Sequence, residues 1–158
     1  MISDTVSVVV PAYNCSGTIK SSVDSVLAQS IPTKVIVVDD CSSDNTLEVL
    51  SCYTGDPRVN IVRNESNLGV AASRNKGVAM AESKYVAFID SDDMWLSDKL
   101  EKQLELVKKT GAVLCSTARE LISEDGKRTG RIIEVPERVT YSKLLRGNVI
   151  NCSSVLID

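Results

Sequence analysis

The sequence contains no histidine among its 158 residues. Zinc sites built on imidazole and catalysis of the Ser-His or Cys-His type are therefore excluded within these residues. Aromatic residues are scarce, at 4% of the chain against 43% hydrophobic residues in total. We therefore expect an aliphatic core, and a chain of 158 residues suits one domain.

Neither charge sign is in large excess, since 18 basic residues against 21 acidic ones give a formal net charge of −3. This balance argues against nucleic acid as a partner. The first residues lack a basic n-region, and the apolar run Val6 to Val10 is too short for a signal peptide or a membrane span. We expect a cytoplasmic protein with no integral membrane segment, with peripheral attachment to the inner face of the membrane as the alternative.

The cysteines lack C-x-x-C spacing and are odd in number: Cys15, Cys41, Cys52, Cys115 and Cys152. A disulfide framework would favour an even number. Reduced thiols in a cytosolic protein are therefore the simpler interpretation.

Short apolar runs alternate with helical segments along the chain. The runs that predict strands read VSVVV, KVIVVDD, RVNIV, YVAFID and AVLCSTA. The segments between them predict helices, the first capped by Ser16 and the fourth opened by Ser97. Such alternation predicts an α/β fold with a mostly parallel central sheet and helices on both faces. The remainder predicts a hairpin turn, a short helix and a further strand, at EDGKR, TYSKLLRG and NCSSVLID.

Acidic residues follow the predicted strands at the sheet edge where ligands bind in α/β proteins. A local role suffices for some of them: Asp44 as a cap or turn residue, and Asp93 and Asp98 in the first turn of the following helix. It does not explain the pair Asp39-Asp40 or the pair Asp90 and Asp92, because both pairs directly follow buried strands. These two pairs predict a functional site.

The stretch Asp90-Ser91-Asp92 directs two carboxylates into one small volume. Two such charges about 4 Å apart repel by roughly 4 kcal/mol at an effective dielectric near 20. A hard divalent cation would offset this repulsion and leave coordination positions for water and phosphate oxygens. Other phosphate sites fit less well, because G-x-G-x-x-G and the P-loop motif are absent. An aspartyl phosphatase or a phospho-receiver domain would carry its acids after other strands.

Four motifs in this order, VSVVVPAYN, VIVVDDCSSDNT, NESNLGVAASRNKG and YVAFIDSDDMW, resemble the family 2 glycosyltransferases with the GT-A nucleotide-diphospho-sugar fold. The resemblance implies an inverting enzyme that binds a UDP-sugar through Mg²⁺ or Mn²⁺. It would transfer a hexosyl or N-acetylhexosaminyl group to a glycan or lipid-linked acceptor. Two other classes stay open: a non-catalytic nucleotide-sugar-binding module, and a metal-dependent phosphotransfer or signalling domain.

The resemblance also implies roles for the nucleotide-binding residues. Pro11, Ala12 and Tyr13 would line the nucleotide pocket, with Tyr13 against the base. Within the pair Asp39-Asp40, Asp40 matches the acid that hydrogen-bonds the uracil ring.

The phosphate side of the site is implied in the same way. Arg74 would lie near the nucleotide. Asp92 would be the more direct metal ligand, with Asp90 nearer the ribose and Ser91 between them. The cation would then stabilise the charge that builds up on the leaving UDP.

Two features depart from the family pattern. Cys41 stands where the family most often has glycine, and we expect the position to tolerate residues that avoid a positive φ. In addition, LLRGNVINCSSVLID resembles the segment just before the acceptor-binding half. We therefore expect a single GT-A domain over residues 1–158 that stops before the end of that half, with the catalytic base beyond Asp158. Self-association would follow if the missing half left apolar side chains uncovered at Val149, Ile150, Val155, Leu156 and Ile157.

Overall fold

The computed structural model describes residues 5–123 and 126–158. The strands in these residues are β1 (Val6–Ala12), β2 (Thr33–Asp39), β3 (Val59–Arg63), β4 (Tyr85–Phe88), β5 (Leu114–Ser116), β6 (Arg119–Ile122), β7 (Arg128–Ile133) and β8 (Val155–Ile157). The α-helices are α1 (Ile19–Leu27), α2 (Thr46–Leu50), α3 (Val70–Ala79), α4 (Lys99–Thr110) and α5 (Tyr141–Leu144).

The main sheet of the described residues has the strand order β3-β2-β1-β4-β8-β5. Strand β1 runs parallel to both β2 and β4, and β2 runs parallel to β3. Strand β8 is antiparallel to its two neighbours, β4 and β5. The predicted mostly parallel sheet is therefore confirmed, and its antiparallel member is the last strand of the chain.

The two faces of β1 are covered by different helices. Val8 belongs to the buried cluster that includes Val23 of α1 and Leu100 of α4. Val9 points to the opposite face because side chains alternate along a strand. There it meets Gly77 of α3, where an added Cβ would overlap the Val9 side chain. Helices on both faces are thus confirmed, and the small residues of α3 allow its close approach to the sheet.

Two helices begin later than the sequence predicts. Helix α1 begins at Ile19 after Thr18, and no side chain caps it. Ser16 is not its N-cap; its backbone N–H instead donates to Asp44 Oδ2 at 3.0 Å. Helix α4 begins at Lys99 with Asp98 as N-cap, two residues after the predicted start. Asp98 therefore lies at the start of α4 as predicted, but as its N-cap, and the acidic residue of the first turn is Glu101. The same prediction is wrong for Asp93, which lies several residues before the first turn of α4.

The apolar residues near the end of the chain are not left uncovered. Val155 and Leu156 are buried because β8 lies between β4 and β5. Val149, Ile150 and Ile157 are half-buried. The prediction of an uncovered apolar surface is therefore wrong. The self-association that we expected from such a surface is no longer supported.

The region between β5 and β8 in the chain contains a second, two-stranded sheet. Strands β6 and β7 pair antiparallel, as a hairpin requires. The predicted turn contains Glu124 and Asp125, which lie outside the described residues. Helix α5 confirms the predicted short helix, although it covers only four residues.

Within the described ranges, no helix is both long enough and apolar enough to cross a membrane. The five cysteines all lie in these ranges, and none of them is paired with another.

Candidate functional site

A cleft of about 390 Å³ opens where β1, β2 and β4 end. This is within the size range of sites that bind small molecules. It lies at the carboxyl ends of parallel strands, the position at which open α/β sheets bind ligands. Its walls are formed by Pro11, Ala12, Tyr13, Asp40, Asn67, Gly69, Val70, Ser73, Arg74, Asp90, Ser91 and Asp92.

All of the sequence-predicted site residues except Asp39 line this cleft. Asp39 is fully buried behind it. Its Oδ2 accepts the N–H of Ser42 at 3.2 Å and lies 3.3 Å from Nε of Arg63. Its Oδ1 has no hydrogen-bond partner among the described residues. Asp39 thus contacts the loop that follows β2, and Asp40 reaches the cleft.

Asp40 organises the loop that leads into α3. Its Oδ1 accepts from Asn64 Nδ2 at 2.7 Å and from the Leu68 N–H at 2.9 Å, and its Oδ2 accepts from the Gly69 N–H at 2.8 Å. Asn64 Nδ2 also donates to Ser73 Oγ at 3.1 Å. Burial would raise the pKa of Asp40, but these hydrogen bonds outweigh it and hold the pKa below its usual value. Asp40 is therefore an ionised, rigidly held carboxylate in the cleft wall.

The three acids after β4 have different surroundings. The guanidinium of Arg74 pairs with Asp90, with Nη2 2.5 Å from Oδ1. Asp92 is exposed and makes no hydrogen bond or ion pair within the described part of the chain. Burial raises the pKa of Asp93, and the charges of Asp92 and Asp90 act in the same direction. Of the three acids, Asp92 is therefore the one whose carboxylate is available to a ligand.

Two serines of α1 hold the acidic turn from one side. The turn is closed by the Asp93 N–H, which donates to Asp90 O at 3.1 Å. Ser22 Oγ donates to Asp93 O at 2.7 Å, and Ser25 Oγ accepts the N–H of Trp95 at 3.1 Å. The turn is thus fixed to a helix that precedes it by some seventy residues.

The loops after β1 and β2 are joined to each other. Asn14 Oδ1 accepts the N–H of Ser43 at 2.8 Å, and the Asn14 N–H donates to Ser42 Oγ at 3.0 Å. Asp44 accepts from both the N–H and the hydroxyl of Thr46, at the start of α2, which confirms its local role. Tyr13, half exposed, lies at the rim of the cleft beside these loops.

Cys41 has a φ of +63°, in the left-handed region. Glycine adopts this conformation without steric cost, whereas a residue with a Cβ adopts it only with strain. The expectation that this position avoids a positive φ is therefore wrong.

Some residues of the site were not predicted. Asn64 and Ser73 support Asp40, and Ser153 Oγ accepts the N–H of Asp90 at 2.9 Å. Asn64 follows β3 directly, so its position at a strand end could have indicated it. Ser153 carries no such signal, since only the placement of β8 brings it to the turn.

No group of three His, Cys, Asp or Glu side chains in residues 5–123 and 126–158 is arranged to hold a metal ion. A cation in the cleft would therefore take most of its ligands from a bound anion and from water, as Mg²⁺ does when it binds with substrate phosphates.

The sheet and the position of the cleft define the GT-A type of nucleotide-sugar transferase fold, with TarS of S. aureus among its structural neighbours. The structure of TarS 1–349 in complex with UDP-GlcNAc superposes with a TM-score of 0.70 at 28% identity, over 84% of this chain and 37% of that one. The model of glycosyl transferase family 2 matches residues 7–155, and the chain belongs to this family.

Two relatives named as glycosyltransferases are similar over nearly the whole chain. TuaG of Bacillus subtilis, which is named for teichuronic acid biosynthesis, is 43% identical over 97% of this chain and 62% of its own length. WfgD of Escherichia coli, named as a UDP-Glc:α-D-GlcNAc-diphosphoundecaprenol β-1,3-glucosyltransferase, is 36% identical over 97% of this chain and 60% of its own. The chain thus spans about three fifths of the length of these relatives.

Proposed function

We propose that this chain is the donor-binding part of an inverting glycosyltransferase, which binds a UDP-sugar with a divalent cation and transfers the sugar to a lipid-linked or glycan acceptor. The observation that carries the proposal is the convergence of Asp40, Arg74 and Asp92 in one cleft at the carboxyl ends of the strands.

The base subsite in this proposal lies between Tyr13 and Asp40. Tyr13 is exposed enough to stack on a base, and Asp40 is an acceptor for the N3–H of uracil. A carboxylate has about four lone-pair sites, and Asp40 uses three of them for Asn64, Leu68 and Gly69. One site is therefore left for the base.

The diphosphate subsite lies between Arg74 and Asp92. The residues fit a hard cation, because Asp92 has no competing partner among the described residues and lines the same cleft as Asp90. Bound Mg²⁺ or Mn²⁺ would neutralise charge on the leaving diphosphate. Arg74 neutralises Asp90, and its buried Nε, which has no partner in the described residues, can donate to a ligand oxygen. Asp90 then faces the ribose.

The nature of the sugar and the acceptor is proposed from the relatives. UDP-Glc appears in the name of WfgD and UDP-GlcNAc is bound in the TarS structure, so a hexosyl or N-acetylhexosaminyl donor is the first choice. WfgD is named for a diphosphoundecaprenol-linked acceptor, which is lipid-linked. A lipid-linked acceptor would bring the protein to the cytoplasmic face of a membrane.

One surface supports such peripheral attachment. Tyr141 and Leu145 are 77% and 70% exposed, and Lys143 and Arg146 lie beside them in sequence. The stretch from Arg138 to residue 150 contains no acidic residue, although the chain as a whole has a net charge of −3. Exposed apolar and basic side chains together favour an anionic lipid surface.

We also propose that the catalytic base lies outside the residues that line this cleft. Each acid in the cleft wall already has a binding role: Asp40 with the base, Asp90 with Arg74, and Asp92 with the cation. General-base assistance contributes about 10²–10⁴-fold to rate. Residues 1–158, as part of a GT-A domain, are therefore expected to bind donor and to transfer slowly or not at all.

Ligand-induced stabilisation of the 158-residue chain tests the proposal. Thermal unfolding is measured with UDP, UDP-Glc, UDP-GlcNAc and GDP-mannose in the presence of Mn²⁺. A ligand at about 100 times its Kd stabilises the native state by about 2.7 kcal/mol, so uridine ligands should raise Tm by several degrees. An equal rise with GDP-mannose, or none with any uridine ligand, would contradict the proposal.

A transfer assay on the same chain separates binding from catalysis. The acceptor is GlcNAc-diphospholipid, and Asp92→Asn gives the background rate. Binding without transfer above that background supports a donor-binding part whose base lies elsewhere, while rapid transfer would show that the base is within these residues. If the chain proved to be a non-catalytic module, a longer protein that contains it would also bind UDP without transfer.

A further inference from the structure

Ser153 lies directly against the acidic turn, 63 residues away from Asp90 in sequence. Its Oγ accepts the Asp90 N–H at 2.9 Å. This is the N–H of the first residue of the acidic turn, which the Asp93 N–H closes by donating to Asp90 O at 3.1 Å. The Ser153 hydroxyl therefore holds the backbone of the turn at the point where it leaves β4.

Ser153 is itself held in place from three directions. Its N–H donates to Asn151 Oδ1 at 2.8 Å, and its carbonyl oxygen accepts Trp95 Nε1–H at 2.7 Å. The next carbonyl, Ser154 O, accepts from Gln103 Nε2 at 2.9 Å. Ser153 is only 7% exposed. Its hydroxyl is therefore a fixed point to which the turn is attached.

The three acids of the turn thus have three separate environments. Asp90 is paired with Arg74, the carbonyl oxygen of Asp93 accepts from Ser22 Oγ at 2.7 Å, and Asp92 lines the cleft. Because the Asp92 carboxylate has no hydrogen bond or ion pair among the described residues, the backbone of the turn sets its position.

We infer that Ser153 is a positioning residue that presents Asp92 to the cation of a bound nucleotide-sugar, by fixing the Asp90 N–H and with it the backbone of the acidic turn. This inference rests on the proposed function. Without the hydroxyl, the Asp90 N–H loses its acceptor. The turn, and with it the Asp92 carboxylate, would then be free to shift.

The test measures UDP affinity by calorimetry on the 158-residue chain, once with saturating Mn²⁺ and once with EDTA. In Ser153→Ala we expect the Kd for UDP in Mn²⁺ to rise about tenfold, as is typical when a group that supports a metal ligand is lost. The Kd in EDTA should not change, because the base subsite is not touched. Ser153→Thr, which keeps the hydroxyl, should restore most of the affinity in Mn²⁺.

Ser154→Ala is the matched control. Ser154 lies in the same 3₁₀ turn and is equally buried, but its hydroxyl donates to Asn151 O at 2.6 Å and not to the acidic turn. The Ser154→Ala variant should bind UDP with the wild-type Kd both in Mn²⁺ and in EDTA. A variant that only loosens the fold would lower Tm and weaken UDP binding with and without metal alike.

The outcomes separate this inference from the proposed function. If the wild type binds UDP more tightly in Mn²⁺ than in EDTA and Ser153→Ala has the same Kd values, the inference alone is overturned. It is also overturned if Ser153→Ala loses the same UDP affinity in Mn²⁺ and in EDTA. A wild type that binds UDP equally in both conditions would overturn the metal step and this inference with it, while nucleotide binding itself would stand. No UDP binding in either condition would overturn the proposed function as well.

Discussion

Arg74 and Asp90 form an ion pair across the cleft, in which Nη2 and Oδ1 are 2.5 Å apart. The pair connects α3 with the turn after β4 and balances the charge of Asp90. The two carboxylates of the D-x-D stretch are therefore not equivalent, although the sequence presents them symmetrically. One is bound within the protein, and the other, Asp92, is open to the cleft.

This asymmetry predicts how the two acids contribute to metal-dependent binding. Asp92→Ala should remove most of the difference in UDP affinity between Mn²⁺ and EDTA, whereas Asp90→Ala should remove less. Calorimetry in both conditions measures the difference directly. Asp56→Ala, which breaks only the local pair with Arg58, is the control. The reverse order of effects would show that Asp90 is the principal metal ligand.

Asp40 should select uracil over cytosine. Its ionised carboxylate accepts from the N3–H of uracil but would oppose the N3 acceptor of cytosine. An unpaired buried polar group costs about 1–3 kcal/mol, which corresponds to a preference of roughly five- to 150-fold for UDP over CDP. Competition between the two nucleotides measures this ratio. If CDP binds the wild type as tightly as UDP, Asp40 does not read the base.

Lys99 should make the free energy of unfolding rise with pH above neutrality. Burial lowers the pKa of Lys99 to about 7, although its Nζ lies 3.9 Å from the ring centroid of Trp95 and donates to Gln103 Oε1 at 2.7 Å. The unfolded chain, with an ordinary lysine pKa of 10.5, binds more protons between these values. Stability therefore increases from about pH 7 towards pH 10.

Lys99→Met should lose this contribution. Chemical denaturation from pH 7 to pH 9.5 measures the free energy of unfolding of both proteins. That of the wild type should rise relative to that of the variant, by up to about 1.4 kcal/mol per pH unit. Lys102→Met is the control, because Lys102 is exposed on the same helix and pairs with Asp98. Parallel pH profiles for wild type and Lys99→Met would contradict the prediction.

Cys41 should tolerate glycine and reject a β-branched residue. A left-handed conformation costs a residue with a Cβ roughly 1–2 kcal/mol, and more when the side chain is β-branched. Cys41→Gly relieves this strain, but glycine increases the entropy of the unfolded chain and so lowers the free energy of unfolding by about 0.5–1 kcal/mol. The two effects oppose each other, so the stability of this variant should be close to that of the wild type. Cys41→Val should be clearly destabilising in urea. Cys52→Val, at an exposed residue without a positive φ, is the comparison, and an equal loss there would refute the argument.

The segment around α5 should bind anionic vesicles. We expect cosedimentation with phosphatidylglycerol vesicles and little with phosphatidylcholine, since each basic residue near an anionic surface contributes about 1 kcal/mol. Lys143→Glu with Arg146→Glu should reduce binding at least tenfold by the same estimate. Lys34→Glu with Lys109→Glu gives the same change of net charge elsewhere. Equal losses in the two double variants would indicate a general charge effect and not a docking surface.

The sequence predicted the parts of the site that follow strands directly. Asp40, Asp90 and Asp92 could be found because the carboxyl ends of parallel strands meet at one edge, whichever helices lie between. The role of Asp93 was misjudged because α4 begins only at Lys99 and Asp93 belongs to the turn after β4, where its carbonyl oxygen accepts from Ser22 Oγ. Hydrophobic periodicity does not reveal such a contact between distant segments.

The conformation of Cys41 could not be predicted from the sequence either. A positive φ at a residue other than glycine is set by the surrounding loop, and here Asn14 joins the loop after β2 to the loop after β1. The start of α1 was displaced for a similar reason. Ser16, which was predicted to cap the helix, donates its N–H to Asp44 of another loop.

The position of β8 bears on how the chain folds as it is synthesised. The parallel unit β3-β2-β1-β4 is complete once residue 88 has emerged, but the outer edge of β4 has no partner until Val155 follows. During that interval the nascent sheet presents open backbone donors and acceptors, which readily pair with other chains. Chaperone binding during this interval would protect the edge until β8 enters the sheet.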